Sequence, residues 1–252
     1  MSLTDTQKLI LDKALKLIEK QGLASFKFSE LALLANCSKT TLYESFKNKE
    51  DILCWVFKLN LEKIERFHSE LLNMTHLSHR ERLLCRYMFE VIRAWCCEDP
   101  ALGVNFITAN RYIWQHASAD TIGYISKSFE RFRLNKQAMW QTALDSGELQ
   151  AEQDEIRDCH KTLVILQRGA VAVANNQILR HNGHHNDCQH IAAEMDQILN
   201  RLDWNETQSN CNIDRCLQFI NEYLHIDGTL NGVVDLDPLR CEDLELSTKA
   251  NI

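Results

Sequence analysis

Eight glycines and two prolines serve all 252 residues of this chain. Hairpins, bulges and βα connections draw on residues that reach positive φ or pre-set a turn, and Gly and Pro supply most of them. A chain so poor in both is predicted to be all-α, with long helices and few connections. Hydrophobic residues at 45% and charged residues at 25% suit an ordinary globular core. The length allows one large domain, or a small one beside a medium one.

Apolar periodicity locates the helices. Residues 6–21 set Leu9, Ile10, Ala14, Leu17 and Ile18 on one face, with Lys8, Lys13, Lys16 and Lys20 mostly on the other. Gly22 marks the expected stop. Shorter patterns follow over 28–35 and 39–46, and a longer one starts at 49 and runs past 70. Helical patterns then cover 79–98, 100–116, 119–146, 152–181, 188–204 and 212–225. Loop signals separate them: Asp99-Pro100, Ser146-Gly147, Asn182-Gly183 and the polar stretch from Asn205 to Asn212. Residues 226–252 set six acids against Arg240 and Lys249 and read as an acidic, poorly ordered tail.

The formal net charge of −7 argues against a nucleic-acid partner only until its distribution is read. Residues 1–60 hold nine Lys and seven acids, whereas the remaining 192 hold 19 basic and 28 acidic residues. A net excess of positive charge is confined to the first quarter, where a local excess on one face is enough to meet phosphate. The ten cysteines form no CxxC pair and fall mostly inside apolar helical patterns, where Cys acts as a small hydrophobe. Without a signal peptide or a membrane-length apolar run, the expectation is a cytoplasmic protein with free thiols and no membrane partner.

The segment 36–51, NCSKTTLYESFKNKED, is the most informative in the chain. Asn36 tolerates the left-handed conformation that a sharp interhelix turn demands. Ser38 caps the next helix, Leu42 and Phe46 point to a shared core, and Lys39, Thr40, Thr41, Tyr43 and Glu44 take the early and outer positions. Asn48 caps a further helix, with Glu50 and Asp51 in its first turn to suit the dipole. Two capped helices joined by so short a turn form a helix-turn-helix, over about 27–46, whose second helix enters the major groove by its N-terminal residues.

Ser38 to Tyr43 (SKTTLY) followed by Phe46 to Leu53 (FKNKEDIL) resembles the signature of the TetR family of bacterial transcriptional regulators. Ile10, Ala14, Leu17, Gly22, Phe26 and Leu31-Ala32 support the resemblance, and LDSGEL at 144–149 with Gly169 in an Ala-rich helix is a weaker echo. The chain departs from the family pattern in Lys27, where a capping hydroxyl is usual, in Asn36 for Gly, and in Cys37 for Val. The resemblance implies a helix-turn-helix DNA-binding domain over 4–64 and a larger helical effector-binding and dimerisation domain over 79–225. It implies a non-enzymatic regulator, a repressor released from a palindromic DNA operator by a small-molecule effector. Carried over by position, Lys39, Thr40, Thr41 and Tyr43 face the DNA. Lys49 contacts phosphate at the start of the fourth helix, with Lys27 and Lys47 as further phosphate contacts.

The same resemblance implies an effector pocket, for which Trp95, Phe106, Tyr112, Trp114, Phe129 and Trp140 are the candidate lining. Tyr112 and Trp114 lie two apart and cannot share one helical face. It also implies a homodimer built from two late helices of each subunit. The candidates are Leu166, Gly169, Ala170 and Val173 in 161–181 and Leu217 and Ile220 in 213–225, with 190–203 beside them.

Other chemistry is weaker. His181, His184, His185, Cys188 and His190, with Cys159-His160 upstream, are competent metal ligands, but Asn182-Gly183 interrupts any continuous helix. They read as a polar interhelix loop, with no metal. Cys96-Cys97 reads as two core thiols. Glu65 and His68 make one ExxH pair, and a carboxylate-bridged metal site needs a second that the chain lacks. No Gly-rich phosphate loop, HExxH or GxSxG element is present, and no cofactor is expected. Two other classes remain: a metal- or thiol-based sensor, disfavoured by the intact 38–53 segment, and a helical enzyme, disfavoured by the lack of a convergent catalytic set.

Overall fold

A computed structural model describes residues 3–96, 110–176, 178–179, 188–205 and 210–226. Among them are ten helices and one two-stranded ribbon, so the all-α expectation holds. The helices are α1 (Asp5–Ser25), α2 (Glu30–Leu34), α3 (Lys39–Ser45), α4 (Lys49–Leu72) and α5 (His79–Cys96). They continue with α6 (Arg111–His116), α7 (Ala119–Asp145), α8 (Gln153–Ala174), α9 (Cys188–Leu199) and α10 (Ile213–Ile226). No helix of the described residues is long and apolar enough to cross a membrane.

The N-terminal unit is built from capped helices around a small core. Thr4 and Gln7 form a reciprocal capping box at the start of α1. That helix buries Ile10, Leu11, Ala14, Leu17 and Ile18. Gly22 bends α1 near its end, at φ 80° and ψ 159°, where a residue with a side chain would be strained. Phe26, Leu31, Leu42 and Phe46 fill the space between α1, α2 and α3. This core is not closed by residues 4–64 alone. Ile113 of α6 and Ile125 of α7 belong to it, and the Phe57 ring of α4 lies 5.7 Å edge-on from Trp114 and 5.8 Å from the stacked ring of Phe129.

The second unit is organised around α5. Fifteen of its eighteen residues are buried, so every face has a neighbour: α4, α7, α8, α9 or α10. Two ion pairs fix the late helices to its first turn. Arg80 donates from Nε and Nη2 to the two carboxylate oxygens of Asp196 in α9, both at 2.8 Å. Glu81 accepts from Arg215 of α10 and from the Asn212 amide at 3.0 Å. A one-sided fork pairing of this kind has the geometry that makes Arg–carboxylate contacts specific.

Four boundaries differ from the sequence expectation. The helix expected over 152–181 stops at Ala174 because Asn175 and Asn176 turn their side chains onto the backbone: Asn175 Nδ2 donates to the Val171 carbonyl at 2.9 Å, and Asn176 Oδ1 accepts from the Ile178 and Leu179 amides. The helix expected over 188–204 ends at Leu199, and Asp203-Trp204 pairs antiparallel with Leu149-Gln150 instead. Trp204 donates its indole N–H to the Leu199 carbonyl at 2.8 Å, which locks this exit. The helix expected over 28–35 is only Glu30–Leu34, entered through two single-turn bonds to the Lys27 and Phe28 carbonyls. Within 100–116 the described helix is Arg111–His116, capped by Asn110. His181, His184 and His185, Phe106, Cys97 and the acidic tail lie outside the described residues.

Candidate nucleic-acid interface and ligand cavity

The turn between α2 and α3 is set by hydrogen bonds. Asn36 sits at φ 49°, the left-handed conformation its sequence position suggested. The Asn36 amide donates to the Leu33 carbonyl at 3.1 Å and the Cys37 amide to the Ala32 carbonyl at 2.9 Å. This bond pair is a Schellman ending, which Asn closes where Gly is the commoner choice. Ser38 then caps α3, its hydroxyl accepting the Thr41 amide proton at 3.0 Å. With Leu42 fully buried beneath it, α3 has one rotational setting. That setting leaves Lys39, Thr40 and Glu44 exposed and Thr41 half-buried. Tyr43 is 50% exposed and leans on Phe28 edge-on, with ring centres 5.3 Å apart. Its ring is braced on one side while half of the side chain's surface stays open. Lys27 and Lys47 are exposed on the flanks.

Lys49 is placed differently from the phosphate contact its position implied. Its ammonium turns inward and donates to the Ala24 carbonyl at 2.9 Å and the Phe26 carbonyl at 3.0 Å, 4.3 Å above the Phe26 ring. Partial burial lowers its pKa, against the pull of Glu50. The side chain staples the end of α1 to the start of α4.

A carboxylate ties this unit to the rest of the chain. Asp51 is 1% exposed, and its two oxygens accept the Lys47 amide at 2.9 Å and the Ser118 amide at 2.7 Å. Lys47 follows the recognition helix, and Ser118 caps α7. Asn48 adds a bond from Nδ2 to the His116 carbonyl at 2.8 Å. The start of α7 is therefore bonded directly to the exit of the helix-turn-helix.

A cavity of about 510 Å³ lies further along α4 and α7, where they meet α5 and α8. His68 comes from α4, Arg86, Tyr87 and Glu90 from α5, Phe129, Phe132, Arg133 and Lys136 from α7, and His160, Val164, Gln167 and Arg168 from α8. Burial, and then the Arg86 charge, hold the His68 pKa well below its ordinary value. Burial, then Lys136 and Arg86, push His160 down to about 4. Both imidazoles are neutral at physiological pH. His160 bridges Tyr87 Oη at 2.6 Å and Lys136 Nζ at 3.2 Å. The lysine donates to Nε2, which leaves Nδ1 to donate to the tyrosine.

Residues 10–54 match the profile of the bacterial regulatory proteins of the tetR family. That match covers the N-terminal unit, which is a TetR-type helix-turn-helix domain. Among solved structures, Salmonella enterica GusR superposes with a TM-score of 0.55 at 16% identity, over 79% of this chain and 98% of GusR. The reduced form of Escherichia coli NemR gives 0.53 at 14% identity, over 80% and 99%. The Bacillus subtilis regulator FadR in complex with stearoyl-CoA gives 0.51 at 18% identity, over 76% and 96%. At such identities the likeness is one of fold. No curated protein matches the sequence.

The aromatic residues assigned to a TetR-type pocket are scattered by the structure. Phe129 lines the cavity. Trp95 and Trp140 are buried in the core around α5, and Trp114 packs on Phe57 in the N-terminal core. Tyr112 is 57% exposed and stacks on His116. The opposed settings of Tyr112 and Trp114 follow their two-residue spacing. What the sequence reading missed is the polar half of the cavity. Its signal was present in α5, where Arg82, Arg86 and Glu90 recur every four residues inside an apolar run.

The dimer candidates divide in the same way. Leu217 and Ile220 are buried within the subunit at 4% and 0% exposure, as is Ala170. This corrects their assignment to an intersubunit face: α10 spends its apolar stripe on α5 and shows Asp214, Gln218 and Glu222 to solvent. Leu166 and Val173 are half-buried against the same core. The outer face of α8 carries Ile165 at 73% exposure, with Gly169 and Ala172 also exposed.

Proposed function

We propose that this chain is a transcriptional regulator that binds a near-palindromic DNA operator as a homodimer and releases it when a small effector fills the cavity between α4, α5, α7 and α8. The observation that carries the reading is the first turn of α3. A Schellman turn, a Ser38 cap and a buried Leu42 hold it rigidly, with Lys39, Thr40 and Tyr43 facing outward. A helix presented in this way enters the major groove by its N-terminal residues, and the exposure of Lys27 and Lys47 supports their role as phosphate contacts. One such helix makes too few base contacts for one operator, and two related by a two-fold axis solve this with half-sites about a helical turn or more apart. The exposed Ile165–Gly169–Ala172 face of α8 supports an isologous contact. FadR, similar in fold, forms a complex with stearoyl-CoA, which supports a small-molecule ligand for this chain.

The test is operator binding by gel shift with the chain's own upstream DNA. Lys39→Ala and Tyr43→Ala should abolish binding while melting temperature and sedimenting mass stay unchanged. Binding within twofold of the unmodified chain, with the fold intact, refutes the assignment of α3.

A further inference from the structure

The walls of the cavity carry more positive charge than they neutralise. Arg133 is paired with Glu130, at 2.6 Å from Nη2, and Arg168 faces Glu90 at 3.8 Å. Those pairs leave Arg86 and Lys136. Arg86 is 3% exposed, makes no salt bridge among the described residues, and has a buried Nε without a hydrogen-bond partner. Its guanidinium carbon lies 5.1 Å from the Phe132 ring centre and 5.4 Å from that of Tyr87. Glu90, one turn further along α5, favours the Arg86 charge from a distance but directs its own oxygens to Gln167 and Arg168. Among the described residues Lys136 bonds to the neutral ring of His160 and to no carboxylate. Burial, Arg86 and Arg133 all lower the Lys136 pKa. Neither ring nitrogen of His68 has a side-chain partner, and both are buried.

A buried guanidinium without a carboxylate is costly to a fold, and a chain keeps one where something else completes it. A structural cation would have its acid in the same chain, as Arg80 has Asp196 and Arg215 has Glu81. Among the described residues Arg86 has none, yet it reaches a cavity that Phe129, Phe132 and Val164 also line.

We infer that the effector is a small organic acid, its carboxylate held by Arg86 and Lys136 and its apolar body lying against Phe129, Phe132 and Val164. This rests on the proposed role of the cavity as the effector site. The guanidinium offers two parallel N–H donors to one carboxylate, and the low-dielectric wall strengthens the contact. A cavity of about 510 Å³ suits a ligand of modest size. Arg86 sets the class: an uncharged ligand of the same shape leaves its buried guanidinium without a carboxylate and leaves half-buried Lys136 with the His160 ring.

The experiment uses the full chain without DNA, so its outcome is independent of whether an operator is recognised. Benzoate, phenylacetate, hexanoate and octanoate are compared with their primary amides, and with inorganic phosphate and sulfate, by calorimetric titration and thermal shift. At a hundredfold excess over Kd, a carboxylate of the series should raise Tm by about 5–10 °C. Its amide should bind at least about a hundredfold more weakly. Arg86→Met should abolish the shift while leaving the unliganded Tm unchanged or higher, because it removes an uncompensated buried charge of similar volume. Lys136→Met should weaken binding about tenfold or more and leave folding intact. The inference is overturned if no carboxylate binds, if amides bind as well as acids, or if phosphate or sulfate alone reproduces the shift. It is equally overturned if Arg86→Met lowers the unliganded Tm, since Arg86 is then a structural cation.

Discussion

Asp51→Asn tests the connection between the two halves of the molecule. The native carboxylate accepts two backbone protons, from Lys47 at 2.9 Å and from Ser118 at 2.7 Å, in a site closed to water. An amide side chain has one acceptor oxygen. Whichever way Asn turns, one backbone donor keeps a partner and the other meets an N–H group. A hydrogen bond to a charged group contributes about 1.5–3 kcal/mol, and the charge at the start of α4 adds roughly 0.3–1 kcal/mol through the helix dipole. The expected loss is about 2–4 kcal/mol, or roughly 5–15 °C in Tm for a chain of this size. Ser118→Pro attacks the same contact from the other side. Ser118 has φ −63° and Ala117 has φ −64° and ψ 147°, so the backbone accepts proline and loses only the donor and the Ser118 cap. Both variants should shrink the factor by which effector weakens operator binding, a coupling typically worth about 1–3 kcal/mol. Calorimetry gives the first quantity, and gel shifts with and without effector give the second. An Asp51→Asn protein with Tm within 2 °C of the parent refutes the hydrogen-bond account. A clear drop in Tm with undiminished coupling refutes the role of Ser118 in carrying the signal.

Two further substitutions separate structural from functional roles. Lys49→Ala should cost about 1–2 kcal/mol by releasing two carbonyls and the Phe26 ring, with the salt dependence of operator binding unchanged. A log–log slope smaller by about one unit would place Lys49 on phosphate instead. A Cβ at Gly169 would meet nothing within 4 Å, and leucine has the higher helix propensity, so Gly169→Leu should leave the isolated subunit at least as stable. It should dissociate the dimer by sedimentation and weaken operator binding, and a dimer that survives with full affinity removes this face of α8 from the interface.

How far the sequence spoke depends on how local each signal was. The α2–α3 turn was legible because Asn36, Ser38 and Asn48 act on backbone groups within five residues of themselves. The fate of Lys49 was not, since its partners Ala24 and Phe26 lie more than twenty residues away. The aromatic residues were read as pocket lining by type alone, and packing spent Trp95 and Trp114 elsewhere, while Trp140 borders a neighbouring cavity with Lys136 and His160. In α10 a broad apolar stripe signals burial without naming the partner, and the partner is α5. The helix α5 concealed most. Its charges suggest a surface helix, but Arg80 and Glu81 are matched by α9 and α10, and Arg86 faces the cavity. Asp196 and Arg215 each lie more than 100 residues away in the chain.

The two candidate sites share two rods. From Asn48 to His68, α4 runs 20 residues from the exit of the recognition helix to the cavity wall, about 30 Å at 1.5 Å per residue. From Ser118 to Lys136, α7 runs beside it for about 27 Å, and among the described helices these two pack against each other most extensively. A group that must draw Arg86 of α5 and Lys136 of α7 onto one carboxylate acts on the far ends of both rods. A tilt of about 5° over about 30 Å moves the near end by roughly 2.6 Å. A recognition helix displaced by that amount loses hydrogen bonds to base edges, whose donor–acceptor distances tolerate only a few tenths of an ångström. The Asp51 carboxylate keeps α7 and the helix-turn-helix from moving independently, so the tilt reaches α3 rather than dissipating between the units. For the proposed regulator, this geometry means that the effector need not come near DNA and that operator binding should weaken effector binding by the same factor.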